Sequence, residues 1–443
     1  MIRIRWFDSE SDDPSIPVDW PASAAILATL FLNIFVWLEF CGGFWQFYPL
    51  PRFAILMAAV AVVVAGLFFM GPMLLAHRYK RPLFGVIEDS LGRIPALALR
   101  VCAGLFLVLW IGYCTSILQF LWNRGFLRAV SGTEETAVSA VMLLFLLATS
   151  MQSLRTEAKL ASFTVQVAIV ILIAALLRVP DGWSAIFDGF YLPGDRSGLA
   201  EAWRGFSDLT WLVAPMGVFA AEFGYRSRRR RDVAMVGLMG VVLPLFVSLL
   251  MAAVIGVAVR YSNLYQPSLR ANIGMALWGH AAISELQPRM IVIAVTMFGV
   301  MRFSIRSLAQ CASIRRPITV WRWTLLGGIL IAAVVISVMH LPLHKASGIT
   351  VRCVAATGAV LTGDYLMGRQ RAPARRWLDW GGCLALLVGL ATPLYYLYWS
   401  PELTEPQTIY PWGIHSYLVA LVACVVIRGV GRVRLLVRTA PLL

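Results

Sequence analysis

The stretch Leu209–Asp232, LTWLVAPMGVFAAEFGYRSRRRRD, decides how this chain is read. It opens as an apolar run of the length one bilayer crossing needs, about 20 residues. It stops at Arg226 and the run Arg228 to Arg231. Short cytoplasmic loops collect Lys and Arg, so the segment marks both a span and its orientation. Pro215 and Gly217 interrupt the helix within it. Glu222 stands four residues ahead of Arg226, the spacing at which two side chains meet on a helix, and this pair reads as a clamp at the cytoplasmic end.

The same pattern repeats along the chain. Of its 443 residues 59% are hydrophobic and 14% charged, a balance that belongs to polytopic membrane proteins. The formal charge of +15 is spread in short basic clusters between apolar runs, which reads as topology and contact with anionic lipid and excludes nucleic acid as a partner. The seven Cys form no CxxC pair, so neither a disulfide framework nor a metal site is expected. Apolar windows predict an all-α membrane protein of about twelve spans: 22–46, 53–76, 95–122, 136–153, 158–178, 208–226, 233–259, 289–310, 319–340, 347–368, 377–399 and 410–434. With the N-terminus cytoplasmic, the even-numbered loops carry Arg78, Lys80, Arg81, Arg155, Lys159, Arg315, Arg316, Arg369 and Arg371. The opposite loops carry most of the acids. Both termini are then cytoplasmic. The first twenty residues lack the basic start of a cleaved signal peptide.

No HExxH, Walker loop or nucleophile elbow is present, so no catalytic residue, cofactor or bound metal is expected, and the chain is not read as an enzyme. The informative residues are ionisable groups inside spans, which are costly in hydrocarbon and face a partner or a wet cavity. Glu39 lies within span 1 with no local partner. Arg302 and Arg306 share one face of span 8, with Ser304 and Ser307 close by. Arg306 is near enough to the span end to snorkel to the cytoplasmic surface. Asp364 precedes Arg369 as a second clamp. Gly42-Gly43 in span 1 and Pro215-x-Gly217 in span 6 are expected helix breaks, and freed backbone groups at membrane depth suit an ion or a polar ligand. Trp110 stands in mid-span 3, beside Gly112, and offers a flat face to an aromatic ring or to packing. Spans 1 and 6 both place an acid beside Phe and Gly, five spans apart, the spacing of a five-plus-five repeat.

Three segments resemble the nucleobase–cation symporter family, the permeases of cytosine, purines, allantoin and hydantoins. FGVIEDSLGRIPALALRVCAGLFLVLWIGYCTS is similar to the loop and span 3 of that family, through Ser90, Gly92, Trp110 and Gly112. AEFGYRSRRRRDVAMVGLMG looks like the end of its span 6, through Glu222, Arg226, Asp232, Gly237 and Gly240. GAVLTGDYLMGRQR is similar to the close of its span 10, through Asp364, Tyr365 and Arg369. The resemblance runs over roughly residues 25–435.

It implies the five-plus-five inverted-repeat transporter fold of the amino acid–polyamine–organocation superfamily, with two further C-terminal helices. The parts are a cytoplasmic segment 1–21, helices 1–5 over 22–178, an external loop 179–207, helices 6–10 over 208–368, helices 11–12 over 369–434 and a cytoplasmic tail 435–443. It implies a permease of the inner (plasma) membrane that carries a small planar nitrogen-containing solute by alternating access. The substrate would lie among Trp110, Cys114, Glu39, Gly42, Trp211, Gly217 and Arg302. The coupling cation, a proton or sodium, would lie near Glu39, Arg302, Ser304 and Ser307. The guanidinium of Arg302 would there take the place of sodium in a charge pair with Glu39, which favours a proton or no ion. An amino-acid or amine transporter of the same superfamily, and a receptor of this fold that moves nothing, remain as alternatives.

Overall fold

The structure is a computed structural model that describes residues 18–33, 36, 59, 62–126, 141, 144–148, 154–176, 215–250, 283–312, 343–369, 377–399 and 412–439. Glu39, Gly42, Gly43, Trp211 and span 9 lie outside the described residues. Every element among the described residues is helical. Three of them, Val62–Tyr79, Arg93–Gly112 and Arg230–Leu250, are long and apolar enough to cross a bilayer.

The helices bury one face and leave another apolar face outward. On span 3 (Arg93–Phe126) Ile94, Leu97, Val101 and Leu105 recur at helical spacing and are each more than half exposed. Val422, Val426 and Val430, each about half exposed or more, recur at the same spacing on span 12 (Trp412–Thr439). In water such stripes would be costly; against acyl chains they are the surface a spanning helix needs. Inside, span 8 (Ile283–Ala312) packs along span 3, and spans 10 (Leu343–Leu366), 11 (Trp380–Trp399) and 12 pack on one another.

Span 6 lies against span 2 with almost no side-chain spacer. A Cβ at Gly217 would overlap the carbonyl of Phe68, and a Cβ at Gly224, two turns on, would overlap that of Met73. Small residues at such crossings let backbones approach, as spanning helices require. The span 2 backbone there is itself irregular, with a π-helical stretch over Ala65–Met70. Its Leu67 carbonyl accepts from Thr362 Oγ1 of span 10 at 3.0 Å and from the Tyr417 hydroxyl of span 12. The wide turn thus exposes an acceptor that two other spans use to dock.

The arginine-rich end of the bundle is closed by ion pairs. Asp364 and Asp379 each accept from both Arg369 and Arg428: Arg369 Nη1 to Asp364 at 2.9 Å, Arg428 Nε to Asp364 at 3.0 Å, Arg428 Nη1 to Asp379 at 2.9 Å, and Arg369 Nη2 to Asp379. Both guanidinium groups also donate to the Ser90 carbonyl, at 3.0 and 3.3 Å. The ring has two charges of each sign and joins spans 10, 11 and 12 to the short helix Leu83–Leu91. Gly92 turns the chain out of that helix at φ +96°, and a Cβ there would overlap the backbone of Leu378. Only glycine meets both demands. Nearby, Lys80 Nζ donates to the Ser227 carbonyl at 3.0 Å, and partial burial pulls that ammonium below its ordinary range.

Candidate functional site

Span 1 begins at Trp20 and its helix ends at Ala28; the backbone then turns through Thr29 to Asn33. Within the described residues the discontinuity of span 1 therefore falls at Thr29–Asn33, ahead of the Gly42-Gly43 pair. Asn33 explains the position. It is fully buried, its Nδ2 donates to the carbonyls of Thr29 at 3.1 Å and Leu30 at 3.0 Å, and its Oδ1 accepts the Val36 amide at 3.1 Å. One side chain satisfies both sides of the break, which is why Asn suits helix ends. Sequence reasoning passed over it; the signal was an amide side chain inside ILATLFLNIFV. In span 6 the helical run 215–219 meets a turn at Ala220 before the helix Ala221–Arg226. Gly217 lies within the first run, packed on span 2.

Span 8 crosses span 1 at Gly299, where a Cβ would overlap the Thr29 side chain. One turn on, Arg302 is 5% exposed, so its guanidinium lies inside the bundle. Ser304 is fully buried and turns its hydroxyl back to the Val300 carbonyl at 2.7 Å. Trp110 is 6% exposed with its ring stacked near Phe106, and Cys114 is fully buried one turn further along span 3. Gly104 of span 3 lies against Leu308 and Cys311 of span 8. Arg100 of span 3 lies within electrostatic reach of Cys311, while Gly104, one turn on, meets Leu308, so the helices run antiparallel and six residues further along span 3 corresponds to about six residues back along span 8, at 1.5 Å per residue. That puts Trp110 at the level of Arg302 to Ile305.

Arg306 does not reach out to the surface. It is 13% exposed and its Nη1 lies 2.7 Å from Glu157 Oε2 at the start of span 5 (Leu154–Leu176). Arg302 lies within electrostatic reach of both. Glu157 thus pairs with Arg306 and lies within the field of Arg302. Sequence reasoning left it among the basic residues Arg155 and Lys159, although a lone acid between two cations at a span start was a readable signal. Glu222 Oε1 lies 2.9 Å from Arg226 Nε. These two pairs, Ser307, Gln310 and three phenylalanines, Phe219, Phe223 and Phe303, line one cavity at the arginine-rich end. The rings of Phe223 and Phe303 stack with centroids 6.2 Å apart. The cavity is lined by both charged and aromatic side chains. Among the described residues no group of three or more His, Cys, Asp or Glu is placed to hold a metal ion.

No family model matches the sequence, and no curated protein does either. Solved structures do match over nearly the whole chain. Mhp1, a nucleobase–cation-symport-1 family transporter, in a closed conformation with bromovinylhydantoin bound, has a TM-score of 0.64 at 12% identity over 98% of this chain and 97% of that one. A Na+-coupled sialic acid symporter in a substrate-bound outward-open state has a TM-score of 0.59 at 13% identity, covering 96% and 92%. A manganese transporter of Eremococcus coleocola has a TM-score of 0.57 at 13% identity, covering 94% and 95%. At these identities the likeness is one of fold. The chain has the all-α, multi-pass membrane fold of the LeuT-type transporters. A bound hydantoin, a sialic acid and manganese on one scaffold mean that the solute must be argued from the site.

Proposed function

We propose that the chain is a secondary transporter that moves a small planar nitrogen-containing solute, of the nucleobase or related heterocycle class, by alternating access. The observation that carries this reading is the buried Trp110 in mid-span 3 at the level of Arg302, in a fold whose span 1 is broken at Thr29–Asn33. A tryptophan face attracts a flat ring, and a guanidinium beside it supplies donors for ring carbonyls and nitrogens. The substrate site then comprises Trp110, Cys114 and Arg302, with Glu39, Gly42, Trp211 and Gly217 completing it from spans 1 and 6. The two repeats, 22–178 and 208–368, move relative to each other, with both termini cytoplasmic in an inner (plasma) membrane. A proton or no ion couples to the solute in preference to sodium.

The Glu157–Arg306 pair ties span 5 to span 8 across the cavity at the arginine-rich end. In alternating access it is a contact that parts when that mouth opens. The same closure favours a second reading, a receptor of this fold that binds its solute without moving it.

The test is uptake of labelled nucleobases, hydantoins, amino acids and amines into proteoliposomes, with and without a proton gradient. Accumulation of a heterocycle, weakened by Trp110→Ala, supports the proposal. Accumulation of amino acids or amines alone refutes the solute class. Ligand-induced thermal stabilisation without uptake of any of them selects the receptor.

A further inference from the structure

A helix broken at membrane depth frees carbonyls, and in transporters of this architecture such carbonyls coordinate a cation. Whether the break in span 1 fits one is decided by where its backbone acceptors go. Thr29 Oγ1 donates to the Ile26 carbonyl at 2.7 Å. The amide of Leu30 reaches Leu27 at 3.0 Å, and those of Phe31 and Leu32 reach Ala28 at 3.1 and 2.9 Å. Asn33 Nδ2 lies between the Thr29 and Leu30 carbonyls, 3.1 and 3.0 Å from them. Phe31 accepts from Ser248 Oγ of span 7 at 2.6 Å and from the Asn33 amide at 2.9 Å. Every carbonyl from Ile26 to Phe31 thus meets a donor of the chain.

A carbonyl has two lone pairs, so one hydrogen bond alone does not bar a cation. The position of the donor does. An ion shared by Thr29 and Leu30 would sit between their oxygens, where the Asn33 amide already points its positive N–H ends. Gly299 of span 8 presses on the Thr29 side chain. Thr29, Asn33 and Ser248 are each fully buried, so the arrangement is sealed from water.

We infer that Asn33 occupies the place of an alkali cation between the Thr29 and Leu30 carbonyls, and that the described residues of the span 1 break bind no sodium there. The break is held by the chain itself, whatever the ionic conditions. The consequence for coupling, that solute movement draws on no sodium gradient, rests on the transporter reading above; the occupancy of the break does not.

The experiment uses the purified full chain in detergent. Binding of radioactive sodium is measured on the unaltered protein and on Asn33→Asp, with choline chloride holding the ionic strength. Asn33→Asp removes both N–H donors and supplies a carboxylate at the same size. The expected result is no saturable sodium binding by the unaltered chain and saturable binding by the variant. Saturable binding by the unaltered chain overturns the inference, and so does a folded variant that binds none. If the variant does not fold, hydrogen exchange of residues 27–36 in the unaltered chain decides. Equal protection in sodium and choline supports the inference; protection that depends on sodium overturns it. Failure of the transporter reading shows separately, as absence of uptake by a chain that still binds no sodium.

Discussion

Glu157→Gln is the substitution that bears most directly on how the mouth at the arginine-rich end is held. Glu157 Oε2 and Arg306 Nη1 are 2.7 Å apart, with side chains 4% and 13% exposed. The change keeps the size of the side chain and removes its charge. A hydrogen bond between charged groups contributes about 1.5–3 kcal/mol beyond its neutral replacement by solvent. If the pair exists only while the mouth is closed, that energy is lost from the closed state alone. The closed-to-open ratio then falls by roughly 10- to 150-fold. Ser307 is 3% exposed and lines the same cavity as the pair, so a cysteine introduced there reports the opening. Labelling of Ser307→Cys by a membrane-impermeant maleimide should accelerate in the Glu157→Gln background, read against the parent with its native cysteines. The exchanged pair, Glu157→Arg with Arg306→Glu, should slow it again. Unchanged labelling in Glu157→Gln would refute the assignment of this pair to the gate, since a contact present in both states shifts nothing however strong it is.

Arg428→Met should cost about 3–5 kcal/mol in denaturant unfolding, because it leaves Asp364 and Asp379 buried with one guanidinium between them; adding Asp379→Asn should recover about 1–3 kcal/mol of that loss, and strict additivity of the two would count against a shared ring. Gly224→Ala should destabilise by about 1–3 kcal/mol through overlap with the span 2 backbone. Gly66→Ala, where a Cβ meets nothing within 4 Å, should stay within about 1 kcal/mol of the parent in the same melts. Trp110→Ala should weaken heterocycle binding by about two- to tenfold, the worth of an aromatic stack of about 0.5–1.5 kcal/mol, with Trp110→Phe retaining most of it in the same titration.

Interactions within one helical turn were legible from spacing. Glu222 and Arg226, four residues apart, lie at 2.9 Å because helical geometry alone brings them together. Asp364 and Arg369 were read as a pair for the same local reason, but their ring is completed by Asp379 and Arg428, the latter 64 residues from Asp364. Glu157 and Arg306 are 149 residues apart. No period in the sequence relates them, and only the docking of span 5 on span 8 does.

Hydropathy and the arginine runs determined that the chain is a bundle of spanning helices, because burial in lipid is a demand each segment meets by its own composition. Where a span breaks is a different kind of property. Gly42-Gly43 marked a place where span 1 has freedom to bend. Within the described residues the chain bends at Thr29–Asn33, where Asn33, Thr29 and Ser248 receive the carbonyls that bending releases. Glycine permits a break at little cost in strain. At membrane depth the greater cost is the unsatisfied backbone, and only the tertiary structure decides which residues meet it.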